Sequence, residues 1–496
     1  MHYLIRLSPD LTTKADRTRR RFLRLLVENL RDAFRSEDIA ARVEMGWARL
    51  LVEAEAAAVP EVARRVFGVH SVSPVEVRDA SSLAALVETA GEFFLPAMQG
   101  RAFAVRARTA GRAAFRSRDL EVALGARLVA HGKVRLDDPD VTCHVEVRDT
   151  TAYLFCDSLP GWRGLPLGSE GRAVALLSGG FDSAVAAWMV LRRGVGLDYV
   201  FCRLGGPVHA AGALRVLQVL GSRWSYGSSS QVHLLPFEPV VEKIRAACRP
   251  SHWQLVLKRF MYRAAEQVGR EQRAQGIVTG ESLGQVSSQT LKNLRALDAR
   301  ALDGRLHLPL LRPLLGMDKE EIIARSREIG TYDLSATVQE YCAIAPKHPA
   351  VAARAREVAE EEAKVDLDLD AILQERRVLD ARALSDSDWA IEALEVESIP
   401  EGAVLLDLRG EHGFSAWHYP GSQRLELAHG LKHLPEFDKT RQYVLVCEFG
   451  LKSAYLAERM RAAGCTAFNF RGGLRALLRY AAERRLVPLE LLPNDA

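Results

Sequence analysis

Arg172-Ala173-Val174-Ala175-Leu176-Leu177-Ser178-Gly179-Gly180-Phe181-Asp182-Ser183 is the stretch on which the fold turns. Ala173 to Leu177 is apolar without alternation, the pattern of a parallel strand buried on both faces. The glycine pair turns the chain at once into a helix expected from about Asp182 to Arg193. Glycines let backbone N–H groups approach an anion closely, and a helix N-terminus adds the positive end of its dipole. Ser178 and Ser183 can add hydroxyl donors. Asp182 is out of place in a pure anion site and fits better beside phosphates, holding a divalent metal or a polarised group. The Walker pattern requires Lys after its last glycine, and Phe181 stands there, which excludes a motor-type or GTPase-type loop.

Working outward, LDYVFCRL, VHLLPF and GIVTGES read as further strands with helices between them, so the centre of the chain is expected to be a doubly wound parallel sheet. Before it, residues 1–75 give a strand from His2 to Leu7, a basic helix from about Lys14 to Phe34 and a strand near 48–55, a small α+β pattern. Residues 76–165 repeat the mixture, with helix-like SSLAALVETAGEFF and strand-like FAVRART, VTCHVEVRD and TAYLFCD. Gly161, Gly164, Pro166 and Gly168 mark a linker. From Ala403 the pattern is again α/β, with VLLDLRG, YVLVCEFG and a helix over 452–463.

A chain of 496 residues suggests about three domains at roughly 150 residues each. With 48% hydrophobic and 26% charged residues it can bury a core in each, which excludes wholesale disorder. No apolar run approaches the ~18 residues of a membrane span, and MHYLIRLSPD lacks a signal-peptide pattern, so no membrane partner and a cytoplasmic location are expected. Seven scattered cysteines do not form a disulfide framework. The net charge of +4 conceals an uneven distribution. Residues 101–136 carry nine Arg/Lys against Asp119 and Glu121, and residues 1–50 carry eleven against seven. Residues 351–400 reverse the sign with six basic and fourteen acidic. The N-terminal part is therefore a candidate polyanion-binding surface, and the acidic stretch is expected to be a connector.

SGGFDS resembles the pyrophosphate loop of the N-type ATP pyrophosphatases, which cleave ATP between its α- and β-phosphates and adenylate a carbonyl oxygen. A second motif begins at Cys447, which ends the apolar YVLV and opens Cys447-Glu448-Phe449-Gly450-Leu451-Lys452-Ser453. A thiolate there faces backbone N–H groups, a helix N-terminus and Lys452, which favours a nucleophilic or persulfide-carrying sulfur. The form resembles the active loop of rhodanese domains. Asp407-Leu408-Arg409, His418-Tyr419-Pro420-Gly421-Ser422 and Arg471-Gly472-Gly473 resemble the other rhodanese motifs, in order. Cys143, Cys156, Cys202, Cys248 and Cys465 read as small buried hydrophobes. Cys342, on a loop held by Pro346 and Pro349, is weak evidence taken alone.

Together the basic N-terminal region, the pyrophosphate loop and the rhodanese loop resemble the ThiI family of tRNA 4-thiouridine synthetases, in the form with a C-terminal rhodanese domain. The resemblance covers nearly the whole chain and extends to LKRFMYRAA, VTGESLGQVSSQTLKNL, LRPLLGMDKEEII and YCAIAP. It implies a ferredoxin-like domain over 1–75, a THUMP RNA-binding domain over 76–165 and an ATP-pyrophosphatase domain over 172–350. An acidic helical linker over 351–400 and a rhodanese-like domain over 401–490 would follow. It implies ATP and Mg²⁺, with Leu176, Leu177, Ser178, Gly179, Gly180, Ser183, Lys258, Gly280 and Gln289 at the nucleotide and Asp182 assisting adenylation; no resident metal is expected. Lys258 and Arg259 are both candidates for the phosphate charge. It implies that Cys447 carries a persulfide supplied by a cysteine desulfurase. The terminal sulfur would reach C4 directly or as released sulfide, and Cys342 would form a transient disulfide with Cys447, which a cellular reductant resets. The acceptor would be the uridine at position 8 of tRNA.

The chain departs from many rhodaneses in having Lys452 where Arg is common, which keeps a cation but loses the planar fork. Three other functions stay open on sequence. A small-metabolite amide synthetase would use SGGFDS but neither Cys447 nor the basic module. Sulfur donation to a carrier protein for thiazole synthesis could coexist with tRNA thiolation. A non-catalytic RNA-binding protein would need neither Asp182 nor Cys447.

Overall fold

The computed structural model describes residues 1–487 apart from 47–48, 99, 205–206, 299–305, 337, 339–345, 347 and 390–393. The chain divides into two units. The first holds Met1–Glu170 with Leu191–Val195 and Tyr226–Ser228, and the second holds the remainder.

In the first unit the opening elements are strand His2–Leu7, helix Asp16–Ser36, strands Ala41–Met45 and Arg49–Ala54, helix Val59–Arg65 and strand Val69–Asp79. The first strand pairs antiparallel with both Arg49–Ala54 and Val69–Asp79. This is the split βαβ order of a ferredoxin-like fold. Helix Asp16–Ser36 buries Phe22, Leu23, Leu26 and Leu30 at the spacing of one apolar face and leaves Arg17, Arg20, Arg24 and Arg31 exposed. The eleven-residue strand Val69–Asp79 continues the sheet through Thr151–Phe155, Val141–Arg148 and Ala102–Ala110. Helices Leu83–Met98 and Ser117–Leu128 supply Leu86, Phe94, Leu120 and Leu124 to the core that covers this part of the sheet. Arg106, Arg108, Arg112, Arg116, Arg118, Lys133 and Arg135 are exposed, so most of the basic stretch is solvent-facing.

In the second unit, strand Arg172–Leu176 lies inside a six-stranded sheet. It pairs parallel with Gly196–Arg203 on one side and Ile277–Val278 on the other. Gln231–Pro236 and Leu310–Leu311 extend the parallel set. The far edge was not anticipated. Arg377–Asp380, from the stretch expected as a helical connector, pairs antiparallel with Gln231–Leu234. Helices Ala355–Glu362 and Leu369–Gln374 precede it, and Val365, Leu369, Ile372 and Leu373 share a core with Leu235 and Phe260. Residues 355–380 are thus built into the central domain, while Glu395–Val396 joins the sheet that follows. Its charge pattern misleads because Glu361 and Glu362 are buried, paired with Arg249 and with Arg259 and Arg263 respectively.

A separate five-stranded sheet follows, all of it parallel, in the order Glu395–Val396, Thr466–Phe470, Gln442–Val446, Val404–Asp407, Gln423–Arg424. Among the described residues, no helix is long and apolar enough to cross a membrane.

Candidate active site

The strand Arg172–Leu176 ends at a loop that closes on itself before helix Phe181–Arg192 begins. The Ser178 N–H donates to Ser183 Oγ at 3.2 Å, and the Ser183 hydroxyl donates to the Gly180 carbonyl at 3.1 Å. Gly179 has φ +81°, and a Cβ there would lie 3.0 Å from Ala213 Cα on the helix Pro207–Trp224. Gly280 is needed for a different reason. A Cβ there would stand 2.6 Å from the Ser183 nitrogen and 2.7 Å from the Asp182 carbonyl carbon. Only glycine lets the chain after Ile277–Val278 lie against the first turn of the helix.

Above this loop is a cavity of about 350 Å³. Leu176, Leu177, Ser178, Gly180, Asp182, Ser183, Lys258, Gly280 and Gln289 line it, so the residues named from sequence for the nucleotide meet in one place, with Gly179 behind the wall. The Gln289 Oε1 accepts from the Ser282 N–H at 3.3 Å, which ties the ends of segment 282–289 together in the cavity wall. His209 also lines the cavity, and burial pushes it down to about 4, so it is neutral near pH 7.

The two adjacent phosphate candidates separate. Lys258 faces the cavity and its Nζ lies 2.7 Å from Glu281 Oε1. Arg259 turns the other way and is buried against Glu362, so it has no share in the cavity. Helix Trp253–Glu271 places consecutive side chains about 100° apart, which sends one toward the cavity and the next into the core.

Sequence reasoning missed Glu281. Its carboxylate is buried and accepts from Lys258 and from the Tyr262 hydroxyl, each at 2.7 Å. It also accepts from Arg312 at 2.7 Å and the Thr279 hydroxyl at 3.1 Å. Burial alone would raise its pKa, but Lys258 and Arg312 outweigh burial and bring it down to about 2. Burial and the neighbouring carboxylate hold Tyr262 well above its usual value, so it remains a donor. Lys319 and Gln285 were also missed. At the cavity, Asp182 Oδ1 lies 2.9 Å from Lys319 Nζ, and its Oδ2 accepts from the Gln285 amide at 2.9 Å. The signal lay inside VTGESLGQ and LLGMDKEEII, but the partners are up to 137 residues apart in sequence.

The second motif builds a distinct loop. Cys447 follows strand Gln442–Val446 and is buried, 1% exposed. The Ser453 N–H donates to its Sγ at 3.4 Å. The Ser453 hydroxyl lies 3.2 Å from that sulfur and 2.6 Å from Asn469 Oδ1. Gly473, at φ +62°, lets the following helix start against the loop, because a Cβ there would be 2.7 Å from the Glu448 oxygen and 2.9 Å from the Cys447 oxygen. The Leu474 N–H then donates to the Cys447 carbonyl at 3.0 Å. Asp407 and Arg409 form a buried pair, and Arg409 reaches on to the Trp417 carbonyl at 2.6 Å, bracing the strand end beside the loop.

The other described cysteines differ in kind. Burial pushes Cys143 up to about 12 and raises Cys202 further, and it pushes Cys156 and Cys248 up to about 11. All four stay thiols near neutral pH. Cys342, expected as the second reactive cysteine, lies outside the described residues. Among the described residues no group of three or more His, Cys, Asp or Glu is arranged to hold a metal ion.

Family models match in the order of the domains. The ThiI ferredoxin-like domain matches residues 2–73, the THUMP domain 80–157, Thiamine biosynthesis protein (ThiI) 168–367 and the rhodanese-like domain 386–479. A tRNA sulfurtransferase of Pyrobaculum aerophilum is 37% identical over 470 residues, covering 93% of this chain and 95% of that protein. The chain belongs to the tRNA sulfurtransferase (ThiI) family. A second member, from Pectobacterium carotovorum, is 34% identical over 487 residues, covering 94% of this chain and 98% of its own. The crystal structure of a 4-thiouridine synthetase–RNA complex with bound ATP superposes with a TM-score of 0.66 at 28% identity, over 76% of this chain and 98% of that one. The family assignment makes the chain an enzyme of the tRNA sulfurtransferase class, with multidomain α/β architecture. It removes the amide-synthetase and non-catalytic readings.

Proposed function

We propose that the chain uses ATP to activate O4 of the uridine at tRNA position 8 and replaces that oxygen with sulfur carried on Cys447, giving 4-thiouridine. The observation that carries this reading is the cavity over Ser178–Ser183, closed by Gly280 and holding Lys258 and Asp182. Its residues fit a nucleotide. Gly280 lets the chain lie against the first turn of helix Phe181–Arg192, a helix start at the cavity suits phosphates, and Lys258 brings one positive charge. Mg²⁺, when bound, neutralises phosphate charge. Asp182 is the carboxylate that would hold it, the phosphates supplying other oxygens.

The uracil O4 attacks the α-phosphorus, pyrophosphate leaves, and the oxygen becomes part of AMP, a good leaving group. Lys319, held by Asp182 at the cavity wall, would stabilise charge developing on the phosphates. A cysteine desulfurase converts Cys447 to its persulfide. The terminal sulfur adds to C4, AMP departs with the former O4, and a Cys447–S–S–C4 linkage remains. The Cys342 thiolate attacks the Cys447 sulfur, the bond to the transferred sulfur breaks, and 4-thiouridine leaves as a disulfide forms between the two cysteines. A cellular reductant returns both to thiols. The exposed arginines of 101–136 and of helix Asp16–Ser36 suit an RNA backbone. The description of the family model over 168–367 supports a second use of the same persulfide, donation to a carrier protein for thiazole synthesis.

The test is incubation with unmodified tRNA, ATP–Mg²⁺, cysteine and a desulfurase, then digestion and mass spectrometry for 4-thiouridine. Cys447→Ser is expected to abolish the product, and Cys342→Ser to allow at most one turnover. ATP cleavage to AMP without a thiolated nucleoside would overturn the proposed substrate.

A further inference from the structure

The rhodanese-type loop is not free in the second unit. Helix Pro207–Trp224 of the nucleotide domain lies against it. Val208 of that helix belongs to the same apolar cluster as Leu406, Leu445, Cys447 and Ala454. Seven residues on, and so on the same face, the Arg215 guanidinium donates to the carbonyl of Phe449, two residues past Cys447. It also lies 5.8 Å from the centroid of the Trp389 ring. The opposite face of the helix serves the other site. Ala213 packs on Gly179 of the phosphate loop, and His209 lines the cavity. Residues 213 and 215 are about 200° apart around a helix, so one helix separates the phosphate loop from the cysteine loop.

We propose that Arg215 is a positioning residue that seats the Cys447 loop, closed, on the helix forming the far wall of the nucleotide site. The proposal rests on the reading that Cys447 carries the sulfur. In this seat Cys447 is 1% exposed and has the thickness of a helix between it and the phosphate loop. The loop must leave the seat for its sulfur to reach a base held over the cavity, and the Arg215–Phe449 contact is a polar link that breaks. The charge is kept in place from several sides. Burial lowers the Arg215 pKa, while Asp386, Glu395 and Cys447 act against that fall. Lys452, the cation expected from sequence, is a member of the loop itself, whereas Arg215 is a cation that the neighbouring domain brings to it.

The experiment is hydrogen–deuterium exchange on the full chain, comparing wild type, Arg215→Met and Arg215→Lys. In Arg215→Met the amides of 447–453 are expected to exchange at least about tenfold faster, the worth of one charge-assisted hydrogen bond. Strand Gln442–Val446 should keep its protection, and Arg215→Lys should recover part of the loss. Unchanged exchange over 447–453 overturns the proposal. Equal acceleration in Gln442–Val446 also overturns it, since Arg215 would then support the domain's fold and not its seat. Formation of 4-thiouridine by the same wild-type protein is read separately. Its absence sinks the sulfurtransferase reading and leaves the exchange result standing.

Discussion

Replacing Glu281 with glutamine keeps the shape of the side chain and removes one charge from beneath the nucleotide cavity. The carboxylate meets Lys258, Arg312 and Tyr262 at 2.7 Å each. Its pKa falls from 4.5 to about 2 although burial opposes the fall. At 1.36 kcal/mol per pH unit, that fall is worth about 3 kcal/mol near neutral pH. The rise at Arg312 reports the same pair and is not added to it. Leaving Lys258 and Arg312 without their shared carboxylate sets the loss at about 3–5 kcal/mol, the range for breaking a buried pair. For a cooperative unit of this size the thermal midpoint should drop by several degrees, at about 2–4 °C per kcal/mol. The pH dependence has a definite sign. A carboxylate whose pKa is depressed on folding stabilises above its unfolded value of 4.5 and loses that contribution as pH falls toward 2. The gap in urea midpoint between wild type and Glu281→Gln should therefore be full at pH 7, nearly full at pH 5 and reduced to less than about half at pH 3. Lys258 should also lose its fixed aim, raising the KM for ATP in an AMP-release assay. Equal urea midpoints at pH 7, or a gap that widens on acidification, would refute the reasoning.

Gly280→Ala puts a methyl group 2.6 Å from the Ser183 nitrogen, so the phosphate loop must shift. Affinity for a non-hydrolysable ATP analogue should fall at least about tenfold by calorimetry, and an unchanged Kd would show that the loop yields freely. Lys319→Met removes the cation from Asp182 and leaves its contact with Gln285. Release of AMP should drop by about a hundredfold while the analogue still binds, since the lost charge acts on the reacting phosphates. Gly473→Ala sets a Cβ within 2.7–2.9 Å of three backbone atoms of the Cys447 loop at φ +62°. Persulfide formation at Cys447, followed by thiol-specific tagging and mass spectrometry, should be lost, with AMP release on tRNA retained. Wild-type persulfide loading would show that the loop tolerates the methyl group.

What was legible in the sequence was what is local. A strand, two glycines and a helix start occupy twelve consecutive residues, and each imposes its own backbone conformation, so 172–183 could be read without a fold. The Cys447 loop was readable for the same reason, since strand, turn and helix N-terminus are contiguous. The charges that act on these loops come from elsewhere. Lys319 reaches Asp182 across 137 residues, and Arg215 reaches Phe449 across 234. No periodicity within a segment marks a partner so distant. The acidic stretch 351–400 shows the limit most clearly. Fourteen acids in fifty residues look like a solvated connector. Yet Glu362 is buried because Arg259 and Arg263 rise from a core helix to meet it. That pairing also explains why Lys258, and not its neighbour, faces the cavity. With Arg259 committed to Glu362 on the core side of the helix, the preceding residue is turned about 100° away, toward Glu281 and the phosphate loop. The stretch that looked furthest from the chemistry therefore fixes which of two adjacent cations faces the cavity.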